Sequence, residues 1–310
     1  MIHNTIISIL FLTLLCTNGE RKTLDEGMIK VDGGKVWYKI LGSEMKKTPV
    51  LLVHGGPGFP SDYLNPLQEL ASDRPVVFYD QLGCGRSDKP GDTTLWYLNR
   101  FAQELSTVRN ELGLDSIHLF SHSFGTMLVA EYLATNPKGI KSITFAGPIF
   151  NTKKHLASVN QLKLELPSAI RDSLLLHEES GDIYSVAYQE AYMEFANLHW
   201  CKTIPYPSDI QESMSHPASA VFKTMWGDYE FFCTGNLIDF ERESILKNLD
   251  VPTLFTCGRF DLTTPKSTAG YADQVKGSEF LIFENSAHTT MNEEPDCFVK
   301  AIRDFLSKNE

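Results

Sequence analysis

The feature that most constrains the fold is an alternation of short apolar runs with longer segments of helical spacing. Three of the runs are almost continuously apolar, which is typical of strands buried on both faces of a parallel sheet; they lie at 50–53, 76–79 and 117–120. Between the last two, apolar residues recur every three or four positions over 101–112, as they do on the buried face of a helix. The order strand, helix, strand predicts βαβ units, which build a parallel sheet covered by helices.

Other patterns precede and follow this repeat. The segment 28–41 alternates apolar and polar residues around a glycine turn at 33–34, the pattern of a β-hairpin. After a further apolar run at 143–146, the alternation of strands and helices stops. Residues 149–242 are rich in helix formers and aromatic residues and show no clear buried strand. We therefore expect a helical insertion in this part of the chain.

The βαβ pattern resumes after the insertion. Apolar runs at 252–256 and 280–283 predict two more strands, and the segment 297–306 has helical spacing. We therefore predict an α/β fold with one doubly wound, mostly parallel sheet and an inserted helical cap domain. The core domain would be formed by 28–148 and 243–310.

The composition is that of a soluble globular protein. The chain has 310 residues, enough to bury a substantial core, with 42% hydrophobic and 22% charged residues. Its net charge of -11 disfavours binding to nucleic acids, because their phosphate backbone is held mainly by clustered Lys and Arg. We therefore expect no nucleic-acid partner.

The N-terminal segment differs from the rest of the chain. Residues 6–16 form an apolar run that is too short to span a bilayer comfortably and is typical of a secretory signal. Small residues at Thr17 and Gly19 suit cleavage before Glu20, although no Lys or Arg precedes the run. We predict a signal peptide at 1–19 and a secreted or secretory-pathway protein with no stable membrane span. The alternatives are an uncleaved N-terminal anchor or, if the segment is not a signal, a cytoplasmic protein.

The cysteine content bears on disulfides and metals. Cleavage would remove Cys16 and leave five cysteines, an odd number that cannot pair completely within one chain. We expect mainly buried thiols with at most one or two disulfides. No group of Cys and His has zinc-ligand spacing, and no glycine pattern matches a phosphate loop or a dinucleotide site. Neither a metal nor a cofactor is expected.

The most informative segment is a serine between a predicted strand and a predicted helix. Ser123 follows the apolar run at 117–120 and precedes an apolar helical run at 127–130. A serine in this place sits on a sharp strand-to-helix turn that exposes its hydroxyl beside a helix N-terminus. Small residues are needed two positions to either side; Gly125 meets this requirement, and Ser121 replaces the usual glycine. We predict that Ser123 is a nucleophile.

An acid and a base follow the two later strands. Asp261 comes after the run at 252–256, and His288 comes after the run at 280–283. Parallel strands gather their carboxyl ends at one sheet edge, and the chain order Ser, Asp, His is that of the α/β-hydrolase fold. We predict a catalytic triad in which His288 takes the Ser123 proton and Asp261 fixes the His288 tautomer. A covalent acyl-enzyme should form and then be hydrolysed.

A glycine-rich loop at 54–58 follows the first buried strand. Glycines let a backbone N–H group approach a substrate without an intervening side chain. We predict that the N–H groups of Gly56 and Phe124 form an oxyanion hole. The alternative, a plain Gly/Pro loop, is disfavoured because the loop leaves the sheet at the edge where the triad assembles.

Taken together, these motifs resemble the proline iminopeptidase family, including the tricorn-interacting aminopeptidases. The similarity runs from about residue 28 to the C-terminus and includes both the core and the insertion. The core motifs are 54–58, 80–88, the Ser123 turn, 258–261, 264–265, 286–288 and 293–295; those of the insertion are 188–191, 199–201, 226–231 and 234–237.

The resemblance implies the release of an N-terminal residue, often proline, from short peptides or aminoacyl amides beneath a helical cap. In the family a cap glutamate holds the substrate ammonium group, and Glu230 stands at the matching position. Many members carry a second glutamate directly after the catalytic aspartate, where this chain has Leu262. The resemblance therefore implies a serine aminopeptidase that acts on proline or another apolar N-terminal residue, with the preference for proline left open.

Two other classes of function are compatible with parts of the sequence. An esterase or lactonase would use the same triad on an oxygen leaving group, and Leu262 and Ser121 leave this alternative open. A non-catalytic binding protein on the same scaffold usually lacks a triad residue, and none is missing here.

Overall fold

The computed structural model describes residues 24–228 and 230–310, which contain an eight-stranded sheet. The strands are β1 Leu24–Val31, β2 Gly34–Leu41, β3 Val50–Val53, β4 Val76–Tyr79, β5 Ile117–His122, β6 Ile140–Ala146, β7 Thr253–Gly258 and β8 Glu279–Phe283. Their order across the sheet is β1-β2-β4-β3-β5-β6-β7-β8. β2 pairs antiparallel with β1 and with β4, whereas the other neighbouring strands are parallel. The predicted mostly parallel sheet is confirmed.

The central strands follow the apolar runs of the sequence. β3 and β4 coincide with the runs at 50–53 and 76–79, and every residue in both strands is buried. β5 continues two residues beyond its apolar run, where Ser121 and His122 pair with β6. Ser121 tolerates burial because its hydroxyl donates to the Thr144 carbonyl at 3.2 Å. This extension brings the strand up to the predicted nucleophile.

Helices cover both faces of the sheet. In the described part of the chain they are α1 Leu98–Glu111, α2 Phe124–Leu133, α3 Thr152–Leu164, α4 Ser168–Ser180, α5 Val186–His199, α6 Ser208–Ser215, α7 Ser219–Met225, α8 Pro265–Ala272, α9 Thr290–Glu293 and α10 Pro295–Lys308. Leu105 of α1 and Leu128 of α2 pack in one core. Ile302 of α10 packs in the other, with Leu67 of the 3-10 segment Ser61–Ser72. This is the predicted doubly wound arrangement.

Five of these helices, α3 to α7, lie between β6 and β7 and form the cap. Val159, Leu174 and Phe195, one residue each from α3, α4 and α5, share a hydrophobic core. The chain enters and leaves the cap side by side, since Asn151 forms an isolated bridge with Glu241. The limits of the two domains stay a prediction.

Two other expectations concern the N-terminus and the cysteines. The predicted signal peptide, residues 1–19, lies outside the described residues and stays a prediction. No helix of the described segments has the length and apolar character needed to cross a membrane. All five cysteines of these segments are free thiols, of which four are buried and Cys297 is exposed.

Candidate active site

Ser123 forms a strained turn between β5 and α2. Its backbone has a φ of 54° and a ψ of -125°, a conformation that residues other than glycine rarely adopt. The Ser123 N–H donates to the Ala146 carbonyl at 3.0 Å, and the residue lines a cavity. Gly125 lets α2 approach β3 closely, because a Cβ there would lie 2.5 Å from the Val53 carbonyl oxygen. The neighbouring strands therefore hold the turn in its strained conformation.

Asp261 and His288 lie side by side at the carboxyl edge of the sheet. His288 Nδ1 donates to Asp261 Oδ1 at 2.7 Å, and the N–H and hydroxyl of Thr263 donate to the same oxygen at 2.7 and 2.9 Å. Burial alone would raise the pKa of Asp261, but the His288 charge and the Thr263 hydrogen bonds lower this pKa below its usual value. Asp261 therefore stays ionised and keeps a proton on His288 Nδ1, which leaves Nε2 available to accept one.

A cavity of about 400 Å³ lies between the sheet edge and the cap. Ser123 and His288 both line it. Among the described residues no hydrogen bond joins these two side chains, which is common before a substrate binds. Most of the other lining side chains are apolar or aromatic, including Met127, Ile149, Phe195, Trp200, Phe222 and Trp226. The cavity is therefore suited to an apolar group held next to the serine.

Two backbone N–H groups of the cavity wall, those of Gly56 and Phe124, have no acceptor within the described residues. Gly56 has a φ of 118°, and a Cβ there would lie 2.4 Å from the Gly58 nitrogen, so the loop requires glycine. Phe124 is the first residue of α2, and its N–H belongs to the unsatisfied donors of a helix N-terminus. Both predicted oxyanion donors are thus free to bind an acceptor.

Glu230 brings a carboxyl group into the cavity wall. The residue is half-buried, and no cationic side chain of the described segments forms a salt bridge with it. Burial raises the pKa of Glu230, and the charge of His288 opposes this shift. The Trp226 indole N–H donates to the Glu230 carbonyl oxygen at 3.2 Å and so steadies the local backbone. A positively charged group of a ligand would satisfy a carboxylate in this setting.

Leu262 stands directly after Asp261, at the position where the family resemblance implies a second glutamate in many members. Its side chain is only 5% exposed and belongs to the cap core, together with Phe195 and Phe231. It also lines the cavity. The position therefore supplies an apolar contact between core and cap in place of a second carboxylate.

Besides Ser219 and Thr289, the cavity wall contains four polar side chains with rings that sequence reasoning missed, which are Tyr63, His122, His155 and Tyr192. His122 directly precedes the predicted nucleophile, and this position was the one feature of the sequence that could have identified it as a residue of the site. The other three come from segments far apart in the chain, where nothing distinguishes them from ordinary structural residues. Burial lowers the pKa of His155 to about 3, so its ring is neutral at neutral pH.

The end of α5 connects the cap to the loop that carries the predicted acid. We call residues 199–202 the clasp. His199 Nδ1 donates to the Phe260 carbonyl at 2.8 Å, and the His199 carbonyl accepts the Leu262 N–H at 3.2 Å. Phe260 and Leu262 flank Asp261, so the cap holds the backbone on both sides of the acid.

The clasp also connects to the loop that carries the predicted base. The Glu293 carboxylate accepts the N–H groups of Lys202 and Ala287 at 2.7 and 2.9 Å. The Trp200 carbonyl accepts the Thr289 N–H at 3.1 Å. Ala287 and Thr289 flank His288, so one cap segment holds the loops of both the predicted acid and the predicted base.

Comparison with known proteins finds relatives over most of the chain. The family model for the alpha/beta hydrolase fold matches residues 48–295. A proline iminopeptidase of Heyndrickxia coagulans is 39% identical over 283 residues, which cover 91% of this chain and 98% of the relative. The sequence similarity thus extends through both the sheet and the cap.

Among the similar solved structures, two that also share more than a quarter of their residues with this chain are similar over nearly their whole length. The crystal structure of a proline iminopeptidase of Mycobacterium smegmatis has a TM-score of 0.86 at 27% identity and covers 92% of this chain and 98% of that one. The crystal structure of VinJ has a TM-score of 0.87 at 31% identity, with 92% and 99% covered. Agreement in sequence, fold and length shows that this chain belongs to the proline iminopeptidase family of the alpha/beta hydrolase fold.

Proposed function

We propose that this protein is a serine aminopeptidase that releases the N-terminal residue, proline or another apolar residue, from short peptides and aminoacyl amides. The observation that carries the proposal is that Ser123, His288 and Glu230 line one mostly apolar cavity. A nucleophile, a base and a carboxylate that can bind an ammonium group are the groups needed to cleave the bond after a residue with a free amino group. The relatives named proline iminopeptidase support the same activity.

The first half of the reaction forms an acyl-enzyme on Ser123. His288 Nε2 takes the hydroxyl proton as the Ser123 oxygen attacks the scissile carbonyl carbon. The N–H groups of Gly56 and Phe124 stabilise the negative charge that develops on the carbonyl oxygen. His288 then gives its proton to the leaving amine, and the amide bond breaks.

The second half of the reaction hydrolyses the acyl-enzyme. Water attacks the ester while His288 again acts as the base, which releases the N-terminal amino acid and restores Ser123. Asp261 supports both halves, because its 2.7 Å hydrogen bond keeps a proton on His288 Nδ1 and stabilises the imidazolium. The lowered pKa of Asp261 keeps this carboxylate ionised at neutral pH.

Glu230 is the group proposed to recognise the substrate's free amino terminus. Its half-buried carboxylate has no salt-bridge partner in the described segments, and a substrate ammonium group would provide one. The apolar side chains around it, including Phe195 and Trp226, suit the side chain of the N-terminal residue. Because Leu262 replaces a second glutamate, recognition of the amine would depend mainly on Glu230.

An esterase or lactonase is the second candidate function. Leu262 favours it, because a wall with one carboxylate and many apolar groups also accepts an acyl chain without an amine. The triad chemistry would be the same with an oxygen leaving group. The two functions differ in whether a free amino group on the substrate increases the rate.

A substrate panel tests the proposal. It compares chromogenic amides of proline and leucine with free amino groups, the same amides after N-acetylation, and a simple acyl ester. We expect kcat/KM for the free amides to exceed that for the acetylated amides by at least about tenfold, because acetylation removes the charge that Glu230 would hold. Ser123→Ala protein, as the inactive control, should lose nearly all turnover of each substrate.

The panel also identifies the alternative. If the acetylated amides are cleaved as fast as the free ones, or if only the ester is cleaved, the aminopeptidase proposal is wrong and the esterase alternative is favoured.

A further inference from the structure

His122, directly before Ser123, is buried and uses both of its ring nitrogens. Nε2 lies 2.9 Å from the His288 carbonyl oxygen, and Nδ1 lies 2.9 Å from the Tyr63 hydroxyl. A carbonyl oxygen can only accept, so Nε2 carries the proton. Burial, together with the neighbouring charge of His288, lowers the pKa of His122 to about 3. The ring is therefore neutral, and its Nδ1 accepts the Tyr63 O–H.

Tyr63 continues this chain of hydrogen bonds to the glycine-rich loop. Its hydroxyl oxygen accepts the Gly55 N–H at 2.7 Å. Burial raises the pKa of Tyr63, so the hydroxyl keeps the proton that it donates to His122. Every donor in the chain is thereby assigned: Gly55 donates to Tyr63, Tyr63 to His122, and His122 to the backbone of His288.

We propose that His122 and Tyr63 are positioning residues that fix the oxyanion loop and the base relative to each other. This inference rests on the proposed function, because it takes the preceding assignments of nucleophile and base as given. Gly55 precedes Gly56, one of the two oxyanion donors, and His288 is held through its own carbonyl group. Both residues therefore act through their neighbours and take no part in the proton transfers.

Three features indicate that this chain of hydrogen bonds controls the relative positions of the active-site groups. The rings of His122 and His288 have centroids 4.5 Å apart, so a displaced His122 would displace the base. The Tyr63 N–H donates to the Ser213 hydroxyl of α6 at 2.9 Å, which anchors Tyr63 to the cap. Ser123 has a strained backbone, and such a turn keeps its shape only where several contacts define it.

Loss of this control should slow the chemical steps and leave substrate binding largely intact. A misplacement of about 1 Å in an active site costs on the order of 10²-fold in rate. The ammonium group and the apolar side chain of the substrate are held by other residues, among them Glu230. Variants of the two positioning residues should therefore lower kcat more than they raise KM.

The test uses Tyr63→Phe, His122→Phe and the double variant, with His122→Gln as the conservative replacement. A glutamine amide can donate to the His288 carbonyl and accept the Tyr63 O–H. Tyr79→Phe is the matched control, because Tyr79 is equally buried and its hydroxyl has no hydrogen-bond partner in the described segments. Each protein is measured for kcat and KM on an aminoacyl amide, for the rate of labelling by a fluorophosphonate, and for Tm.

We expect Tyr63→Phe and His122→Phe each to lower kcat and the labelling rate by about tenfold or more, with KM within about twofold of wild type. The double variant should lose no more than the more damaging single variant, since both break the same chain. His122→Gln should recover most of the loss, and Tyr79→Phe should match wild type.

The proposal is overturned if Tyr63→Phe and His122→Phe keep wild-type rates while Tm falls, or if their losses multiply in the double variant. The labelling rate measures the reactivity of Ser123 without an aminoacyl substrate. It therefore tests this inference independently of the proposed function. Wild-type protein that is labelled at Ser123 but cleaves no aminoacyl amide would refute the function, and the labelling rates would still decide the inference. Wild-type protein that is not labelled would overturn both.

Discussion

The residues that we propose for catalysis and substrate binding are held in backbone conformations or buried charge states that are unfavourable in themselves. Ser123 has a positive φ, Asp261 is ionised while buried, and Glu230 is a half-buried carboxyl group without a salt bridge to a described residue. Such conformations and charges lower the stability of the folded state, and they persist where contacts with neighbouring groups offset this cost. Asp261 is compensated by His288 and Thr263. For Glu230 the compensating group would be the substrate.

The difference in stability between Glu230→Gln and wild type should therefore depend on pH. Burial raises the folded-state pKa of Glu230 above the ordinary value of 4.5. In the unfolded chain Glu230 loses its proton near this value, whereas in the folded wild type it loses the proton only at higher pH. The free energy of unfolding of wild type therefore falls as pH rises between the two pKa values. Glutamine has no charge to bury. We expect Glu230→Gln to raise Tm at about pH 8 by at least about 2 °C, with the gain shrinking toward about pH 4.

The matched control for this measurement is Glu194→Gln, which alters an exposed glutamate of α5. Its Tm should follow wild type at both pH values. A Glu230→Gln protein that is less stable than wild type at about pH 8 would show that the carboxylate already has a stabilising partner within the protein.

Among the elements of the fold, the clasp connects the cap to both loops of the proposed triad. Residues 199–202 bind the backbone beside Asp261 and the backbone beside His288. Glu293 is central to the second contact, because it joins a cap N–H group to an N–H group of the base loop. The position of the cap and the alignment of the proposed triad are therefore coupled.

Glu293→Gln should weaken this coupling. A glutamine side chain offers one acceptor oxygen where the carboxylate offers two, so the N–H of Lys202 or of Ala287 loses its partner. An unsatisfied buried donor costs about 1–3 kcal/mol in the free energy of unfolding, which urea denaturation measures. We also expect kcat to fall, because the base loop loses one of its restraints. A variant with wild-type stability and wild-type kcat would mean that the clasp does not support the triad.

For the molecule as a whole, the sequence predicted the centre of the sheet well because the central strands are buried on both faces. Such strands leave continuous apolar runs, and two of these runs coincide with β3 and β4. The meeting of Asp261 with His288 was predictable for a related reason, since parallel strands end at a common edge. The fold class and the placement of these residues thus followed from periodicity and chain order.

The contacts between cap and sheet could not be predicted in the same way. The clasp binds largely through backbone groups, which carry no signal in the sequence. Tyr63 and His122 are 59 positions apart, and their hydrogen bond depends on where the 3-10 segment Ser61–Ser72 packs. Glu230 was singled out only through the family resemblance, because one glutamate in a helical segment has no distinguishing pattern.

The proposed aminopeptidase activity depends on recognition of a free amino terminus by Glu230. The most direct test is the ratio of kcat/KM for an aminoacyl amide to kcat/KM for its N-acetyl analogue, in wild type, Glu230→Gln and Glu194→Gln. We predict that Glu230→Gln costs on the order of 1.5 to 3 kcal/mol on the free amide and little on the acetylated one, so that the ratio falls by about 10- to 150-fold. Glu194→Gln should leave the ratio unchanged. Equal losses on both substrates, or no loss on either, would show that Glu230 does not hold the amino group of the substrate.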